Sequence, residues 1–569
     1  MRRVIGGAVA SVLAMSCMSS PLYLHVGRFH SVKGFRGAVA SQEVIASKVG
    51  RDILKQGGNA VDAAVATGFA LMVTLPRAGG LGGGGFMTIW LQKQHKSLVI
   101  DYRETAPKHI HATAFLNQSG KLDPQKARHS GLAVAVPGNV AGLCFAERTY
   151  GKLGLKKVIS PAIKLASQGI VVTQALAGAL AGSKKVLSID PATLRIFSTT
   201  QGALVQQGDV LKRPGLAHAL RLIKKKGAKA FYTGAMARAL IRRVREYGGV
   251  MTLADLKHYR PIVRKPLRIA FGSKTVLVPP SPASGLTLGE LLLLASKYPL
   301  SPTAIQQNTA LEFHLLTEMM NFAYFDRNQY LGDPQFVNVP QKKLLSKQHI
   351  SSIIQRISRE KHLPSLKIQP SPMFGGEGRN TTHYSVVDRN GNMVSNTYSL
   401  NYSFGSGISV PRYGILLNNT MDDFALQPGT PNSFGLVQGN ANRVQGGKRP
   451  LSSMTPIIVL DHHRAWLATG SPGGSKIITT VFQLLVNMID YELPLATAVE
   501  RPRIHSQLFP DQISVEWGIS PDTIAKLRQM GHKVVSSWTQ GSLQSVQQRN
   551  GHFVAFSDTR RLGAGVAVY

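Results

Sequence analysis

The stretch Asn380-Thr381-Thr382-His383-Tyr384-Ser385 opens a β-strand pattern with two threonines at its head. A threonine hydroxyl is a poor nucleophile at neutral pH unless a base lies beside it. The nearest candidate base is its own backbone nitrogen, which is not basic while it is an amide. Cutting the bond between Asn380 and Thr381 would free an α-amine with a pKa of about 8 next to the hydroxyl. That is the amine-activated threonine nucleophile. The plainer alternative is a Thr-rich strand following a loop, so the surroundings must decide.

Downstream, Thr382 to Val387 and Met393 to Leu400 alternate as strands, with the Asn390-Gly391 turn signal between them. Antiparallel pairing brings Ser399 and Asn401 back beside Thr381. Upstream, Pro364 to Arg379 carries Pro, Ser and the run Gly375-Gly376-Glu377-Gly378, and reads as an exposed segment before the cut. Two later loops hold chemistry. Thr420-Met421-Asp422-Asp423 offers two carboxylates, able to bind an ammonium group or to cap a turn. Gly470-Ser471-Pro472-Gly473-Gly474-Ser475 precedes a helical run from about Lys476 to Ile489. Its amide N–H groups suit an oxyanion, or simply a Gly-rich helix entry.

Near the start, Ser41 is the expected N-cap of a helix with Glu43 in its first turn. A second, wholly apolar helix is expected from about Ala60 to Leu71. The run Gly79 to Gly85 contains a formal GxGxxG, but Phe86 to Leu91 after it reads as a strand. The helix that a dinucleotide site requires is missing, and that reading is rejected. Residues 130–370 read as mainly helical, including Leu216 to Lys225 and Ala235 to Tyr247.

With 43% hydrophobic and 17% charged residues, the chain has a folded composition. Its net charge is +37, and it is uneven: 51 Lys and Arg oppose 18 Asp and Glu before Thr381, against 15 and 11 from there on. The basic residues are scattered and no nucleic-acid-binding motif accompanies them, so no nucleic-acid partner is expected. With only Cys17 and Cys144, a cysteine metal site is excluded, and no HExxH occurs. No metal and no cofactor are called for. Met1-Arg2-Arg3 followed by a short apolar run reads as a secretory leader of about residues 1–24. The expected location is periplasmic or secreted, with no stable membrane span; lipid anchoring at Cys17 is the weaker alternative.

Several motifs together resemble the γ-glutamyltransferases, or γ-glutamyltranspeptidases: Gly58 to Ala64, Gly80 to Met87, Asp101-Tyr102-Arg103-Glu104, Thr381 to Ser385, Arg449 to Met454 and Ser471 to Ser475. The resemblance runs nearly the whole length after the leader. It implies an α+β fold of the N-terminal nucleophile hydrolase type, a four-layer αββα sandwich. It implies self-cleavage between Asn380 and Thr381 into a large subunit (25–380) and a small catalytic subunit (381–569) that remain a heterodimer. The implied donors are glutathione and other γ-glutamyl compounds; the implied acceptors are water, amino acids or peptides.

By the same resemblance, Thr381 is the nucleophile and Ser399 bonds to it. Gly473 and Gly474 form the oxyanion hole. Arg103, Ser452 and Ser453 hold the α-carboxylate, while Asp423 with Asn401 holds the α-ammonium. Two positions depart from the family pattern: Ser399 replaces the usual Thr, and Thr420 replaces the usual Gln or Glu among the ammonium ligands. Pro428 to Gly447 matches a lid loop, with Phe434 where a gate Tyr is usual. A related acylase preferring glutaryl groups is the runner-up; the other readings are a non-catalytic binding protein and an anion- or surface-binding protein exploiting the +37 charge.

Overall fold

The computed structural model describes residues 31–369 and 381–569. The expected leader of residues 1–24, Cys17, Asn380 and the glycine run before it lie outside the described residues.

Two seven-stranded antiparallel sheets are stacked face to face. The front sheet runs Gly565–Val568, Gly37–Ser41, Thr382–Asp388, Met393–Ser399, Gly84–Leu91, Lys96–Tyr102 and Ile262–Arg264. The back sheet runs Val32–Gly34, His552–Ser557, Gln544–Arg549, Arg464–Thr469, Ile457–Asp461, Lys274–Val278 and Leu267–Phe271. Between the sheets, Ala38, Ala40, Trp90 and Val387 meet Leu277, Ile458, Ala468 and Val546 in one apolar layer. Helices Val44–Lys55, Ala60–Thr74 and Asn139–Tyr150 bury the outer face of the front sheet. Helices Gly285–Ala295, Ala310–Tyr330 and Lys476–Leu485 do the same for the back sheet. The result is the expected αββα sandwich.

Local sequence explains most of these elements. The Ala60–Thr74 helix is buried on every side, as its apolar composition predicts, and continues past Leu71. Asn59 caps it, with Asp62 closing a capping box. The first helix starts differently from expectation. Its N-cap is Glu43, whose carboxylate accepts from the Ile45 and Ala46 amides, whereas the Ser41 hydroxyl bonds to Ser47. The carboxylate outcompetes the hydroxyl because it can accept from both amides at once.

The middle of the chain is less purely helical than expected. Leu267–Phe271 and Lys274–Val278 form a hairpin at one edge of the back sheet, and Ile262–Arg264 closes one edge of the front sheet. Gly272, at φ 53°, makes the hairpin turn.

The hairpin after Thr381 forms with the expected polarity: Thr382 lies opposite Tyr398. Its second strand pairs with Gly84–Leu91, Ser399 opposite Gly84. The glycine run makes this possible, since a Cβ on Gly83 would sit 2.0 Å from the Ser399 carbonyl oxygen. The run is thus a close-approach device within the sheet, in keeping with rejection of a nucleotide loop.

Candidate active site

Strand ends converge at one end of the front sheet. The register places Thr381 at the head of its strand, Ser399 at the end of the next, Gly84 after that, and Arg103 just beyond Lys96–Tyr102. Along Thr382–Asp388 alternate side chains face opposite ways. Tyr384 and Val386 join the helix-facing core, while Val387 joins the inter-sheet layer and the Ser385 hydroxyl donates to the Gln544 carbonyl of the back sheet at 2.9 Å. The alternation carries Thr381 to that inner face, toward the loop that follows Arg464–Thr469.

That loop holds Gly473 and Gly474, at φ 136° and 59°, immediately before helix Lys476–Leu485. Their carbonyls accept from the Lys476 and Ile477 amides at 3.2 Å each. Amides at the start of a helix have no intrahelical acceptor and suit a developing anion.

Thr381, Ser399, Asn401, Asp423, Phe434, Ser452, Ser453 and Gly474 line one pocket. Eight residues singled out in the sequence therefore meet in one place. Arg103 stands behind them, buried and ion-paired to Asp423 and, at 3.2 Å, to Glu104. Burial opposes its charge, but Asp423 and Glu104 outweigh burial and hold the guanidinium above its ordinary range. Burial pushes the Asp423 carboxyl up, partly offset by Arg103.

The two carboxylates at 422 and 423 have separate tasks. Asp422 accepts from the Tyr402 hydroxyl at 2.6 Å and lies 3.6 Å from Arg128. Asp423 faces the pocket. Asn401 sits at φ 77°, an uncommon conformation for a residue with a Cβ. Its amide donates to Ser399 Oγ at 2.8 Å and its side chain to the Asn419 carbonyl at 3.0 Å. Ser399 and Asn401 thus form one tight corner beside Thr381. Thr420 is fully buried and does not line the pocket; its hydroxyl donates to Glu104 at 2.9 Å.

Ser452 and Ser453 lie on the loop entering Ile457–Asp461. The Ser452 amide donates to the Pro282 carbonyl at 2.8 Å, and Ser453 Oγ accepts from Arg327 at 3.1 Å. Arg327 was not singled out in the sequence. It lines the pocket from helix Ala310–Tyr330, and burial lowers its pKa to about 10, which leaves it cationic at neutral pH. The signal for it was the polar run Asp326-Arg327-Asn328 near the end of a buried helix. Asn432, Gln438 and Met454 also line the pocket and were missed.

His383, the nearest imidazole in sequence, is locked away from general-base work. Its two nitrogens are within 2.8 Å of Thr397 Oγ1 and 3.0 Å of Ser385 Oγ, and burial drives its pKa down to about 3. Its ring packs against Gly470, where a Cβ would lie 2.5 Å from it. The histidine therefore couples the Thr382–Asp388 strand to the glycine loop as a neutral spacer.

A gamma-glutamyltranspeptidase family model matches residues 46–568. The chain belongs to the γ-glutamyltranspeptidase family. Among its relatives, the glutathione hydrolase proenzyme of Escherichia coli (strain K12) is 42% identical over 581 residues, covering 100% of this chain and 99% of that protein. Among solved structures, cephalosporin acylase from Bacillus halodurans superposes with a TM-score of 0.85 at 27% identity, covering 96% of this chain and 98% of that one. Helicobacter pylori γ-glutamyltranspeptidase superposes with a TM-score of 0.56 at 35% identity, over 57% of this chain and 93% of that one. The γ-glutamyltranspeptidase assignment agrees with a pocket offering a hydroxyl, an amide-rich turn and a buried cation–anion pair. Among the described residues no helix is long and apolar enough to cross a membrane.

Proposed function

We propose that this family member is a self-processing γ-glutamyltransferase that cleaves the γ-glutamyl amide bond of glutathione and its conjugates. The observation that carries the reading is that Thr381 shares one pocket with Asp423, Ser452, Ser453 and Gly474. Cleavage between Asn380 and Thr381 gives a large subunit ending at 380 and a small subunit beginning with the nucleophile, which stay together as a heterodimer. The freed amine of Thr381 takes the proton of its own hydroxyl, and Oγ1 attacks the γ-carbonyl carbon. The Gly473 and Gly474 amides stabilise the oxyanion. The C–N bond breaks as the amine returns its proton to the leaving nitrogen, leaving a γ-glutamyl ester on Thr381. Water attacks that ester to give glutamate, or an amino acid or peptide amine attacks it to give a new γ-glutamyl bond.

Specificity rests on the Arg103–Asp423 pair. The α-amino acid end of a γ-glutamyl group carries one carboxylate and one ammonium. Arg103 with Ser452 and Ser453 takes the first, and Asp423 with Asn401 takes the second. Such an exchange keeps both buried charges compensated. The protein acts outside the cytoplasm, in the periplasm or as a secreted enzyme, in line with its leader.

The likeness to a cephalosporin acylase favours one second reading, a glutaryl acylase. A glutaryl chain has no ammonium for Asp423, so γ-glutamyl substrates are preferred. The test is intact mass and a denaturing gel of wild type and Thr381→Ala, followed by assays on γ-glutamyl and glutaryl anilides. Two fragments in wild type only, the smaller beginning at Thr381, with γ-glutamyl turnover, support the proposal. An uncut folded wild-type chain, or preference for glutaryl anilide, overturns it.

A further inference from the structure

Outside the pocket, three helices bring Glu290, Asp326 and His349 together. Glu290 lies on Gly285–Ala295, Asp326 on Ala310–Tyr330 and His349 on Lys347–Ile354. One imidazole nitrogen faces both carboxylates: His349 Nε2 is 2.7 Å from Asp326 Oδ2 and 3.6 Å from Glu290 Oε1. Glu290 Oε1 is buried and has no hydrogen-bond partner, although Glu290 is only 1% exposed. A single N–H cannot satisfy two carboxylates, and an unpaired buried carboxylate oxygen is costly.

We infer that Glu290, Asp326 and His349 form a binding site for one first-row divalent cation. Three ligand atoms at metal–ligand distances of about 2.0–2.2 Å stand roughly 3.0–3.5 Å apart. The spacings of 2.7 and 3.6 Å straddle that range, so small side-chain shifts complete the arrangement. The cation displaces the Nε2 proton to solvent, the imidazole keeps its proton on Nδ1, and the positive charge answers both carboxylates. One imidazole with two carboxylates suits Zn2+ or Mn2+ better than the all-oxygen sites of Ca2+. The His349 side chain is 17% exposed, which gives the ion an entry path and leaves room for water ligands.

The site is structural, since it touches no reacting group. It ties Lys347–Ile354 to the two helices beneath the pocket. Asp326 is chain neighbour to Arg327, whose guanidinium holds Ser453 and Ser284 at 3.1 and 3.0 Å. A bound ion therefore fixes the helix segment that presents Arg327.

The experiment uses the full purified chain, stripped with EDTA and then titrated with Zn2+ or Mn2+. Metal content is followed by mass spectrometry of the elements, and melting temperature by calorimetry. We expect about one bound equivalent and a rise in melting temperature of several degrees at saturation. Glu290→Gln, nearly isosteric, is expected to lose both effects while remaining folded and self-processed. His349→Gln provides a second variant removing a different ligand. An unchanged melting temperature and no retained metal in wild type overturn the inference. So does a Glu290→Gln protein that still binds the metal. A metal-free wild type that Glu290→Gln stabilises shows instead that the two carboxylates share a proton, and also overturns it. Wild-type titration alone decides the question if both variants fail to fold.

Discussion

The Thr420 hydroxyl donates to Glu104 Oε1 at 2.9 Å, and the other oxygen of Glu104 holds Arg103 at 3.2 Å. The residue that departs from the family pattern thus acts on the pocket at one remove, through the carboxylate that orients the guanidinium. Thr420→Val keeps the shape and removes the donor, leaving a buried carboxylate oxygen less satisfied. We expect KM for a γ-glutamyl donor to rise about three- to tenfold, equivalent to about 1 kcal/mol, with kcat nearly unchanged. Steady-state kinetics on γ-glutamyl-p-nitroanilide checks this.

Phe434 lacks the hydroxyl of the gate Tyr usual in the family, so its side chain cannot latch the lid by a hydrogen bond. The ring is in fact 6% exposed and stacks on Tyr402, with centroids 5.1 Å apart and planes 14° apart. Its carbonyl accepts from Gln507 at 2.8 Å. Stacking and a backbone bond hold Phe434 in place of the side-chain hydrogen bond that a Tyr would offer. Tyr402→Leu removes the stack and the bond to Asp422 together. Loss of an aromatic pair costs about 1 kcal/mol, so we expect the ratio of transpeptidation to hydrolysis to fall severalfold. Phe434→Tyr, which retains the stack, is expected to change the ratio less. Product analysis with glycylglycine as acceptor separates the two variants.

Gly474 lies at φ 59°, where an L side chain is strained, and it lines the pocket together with Thr381. Gly474→Ala is expected to lower kcat about a hundredfold, with KM for the donor changed less than threefold. A raised KM with kcat unchanged would place Gly474 in ground-state binding instead.

His362 is gripped by Glu318 at 2.6 Å and Asp511 at 2.9 Å, and the two carboxylates overcome burial to raise its pKa to about 9. A histidine with a raised folded-state pKa stabilises the fold fully below its unfolded value, about 6.5. That contribution is lost as pH climbs through about 9. Solvent screening at a partly wet site reduces the effect to about 2 kcal/mol. We expect wild-type unfolding free energy to decline between pH 6.5 and pH 9, roughly by that amount, and His362→Gln to flatten the decline. Denaturant titrations across that range measure it.

The parts of the fold that were legible in sequence are those governed by local rules. The hairpin from Thr382 was readable because period-two alternation and Asn390-Gly391 specify register without tertiary help. Its register then fixed Ser399 beside Thr381. The Leu267–Phe271 and Lys274–Val278 hairpin carried the same signals around Gly272-Ser273, but it lay amid helices and was absorbed into their pattern. At the site, motif residues were visible because they stand in loops, where polar side chains have no packing role to explain them. Arg327 was hidden for the opposite reason: it sits inside a buried helix whose register only the fold reveals. The division of labour between Asp422 and Asp423 depends on Tyr402 and Arg128, which no local rule joins to them.

The front sheet inserts Thr382–Asp388 and Met393–Ser399 between Gly37–Ser41 and Gly84–Leu91. A scission before Thr381 would therefore divide the covalent chain without dividing the sheet. Each product alone would present raw hydrogen-bonding edges, and neither could rebuild the interleaved order except by finding the other. Synthesis as one chain keeps that search within a single molecule, at fixed and high local concentration. Coexpression of the two halves as separate genes should consequently yield aggregates where the uncut precursor yields enzyme.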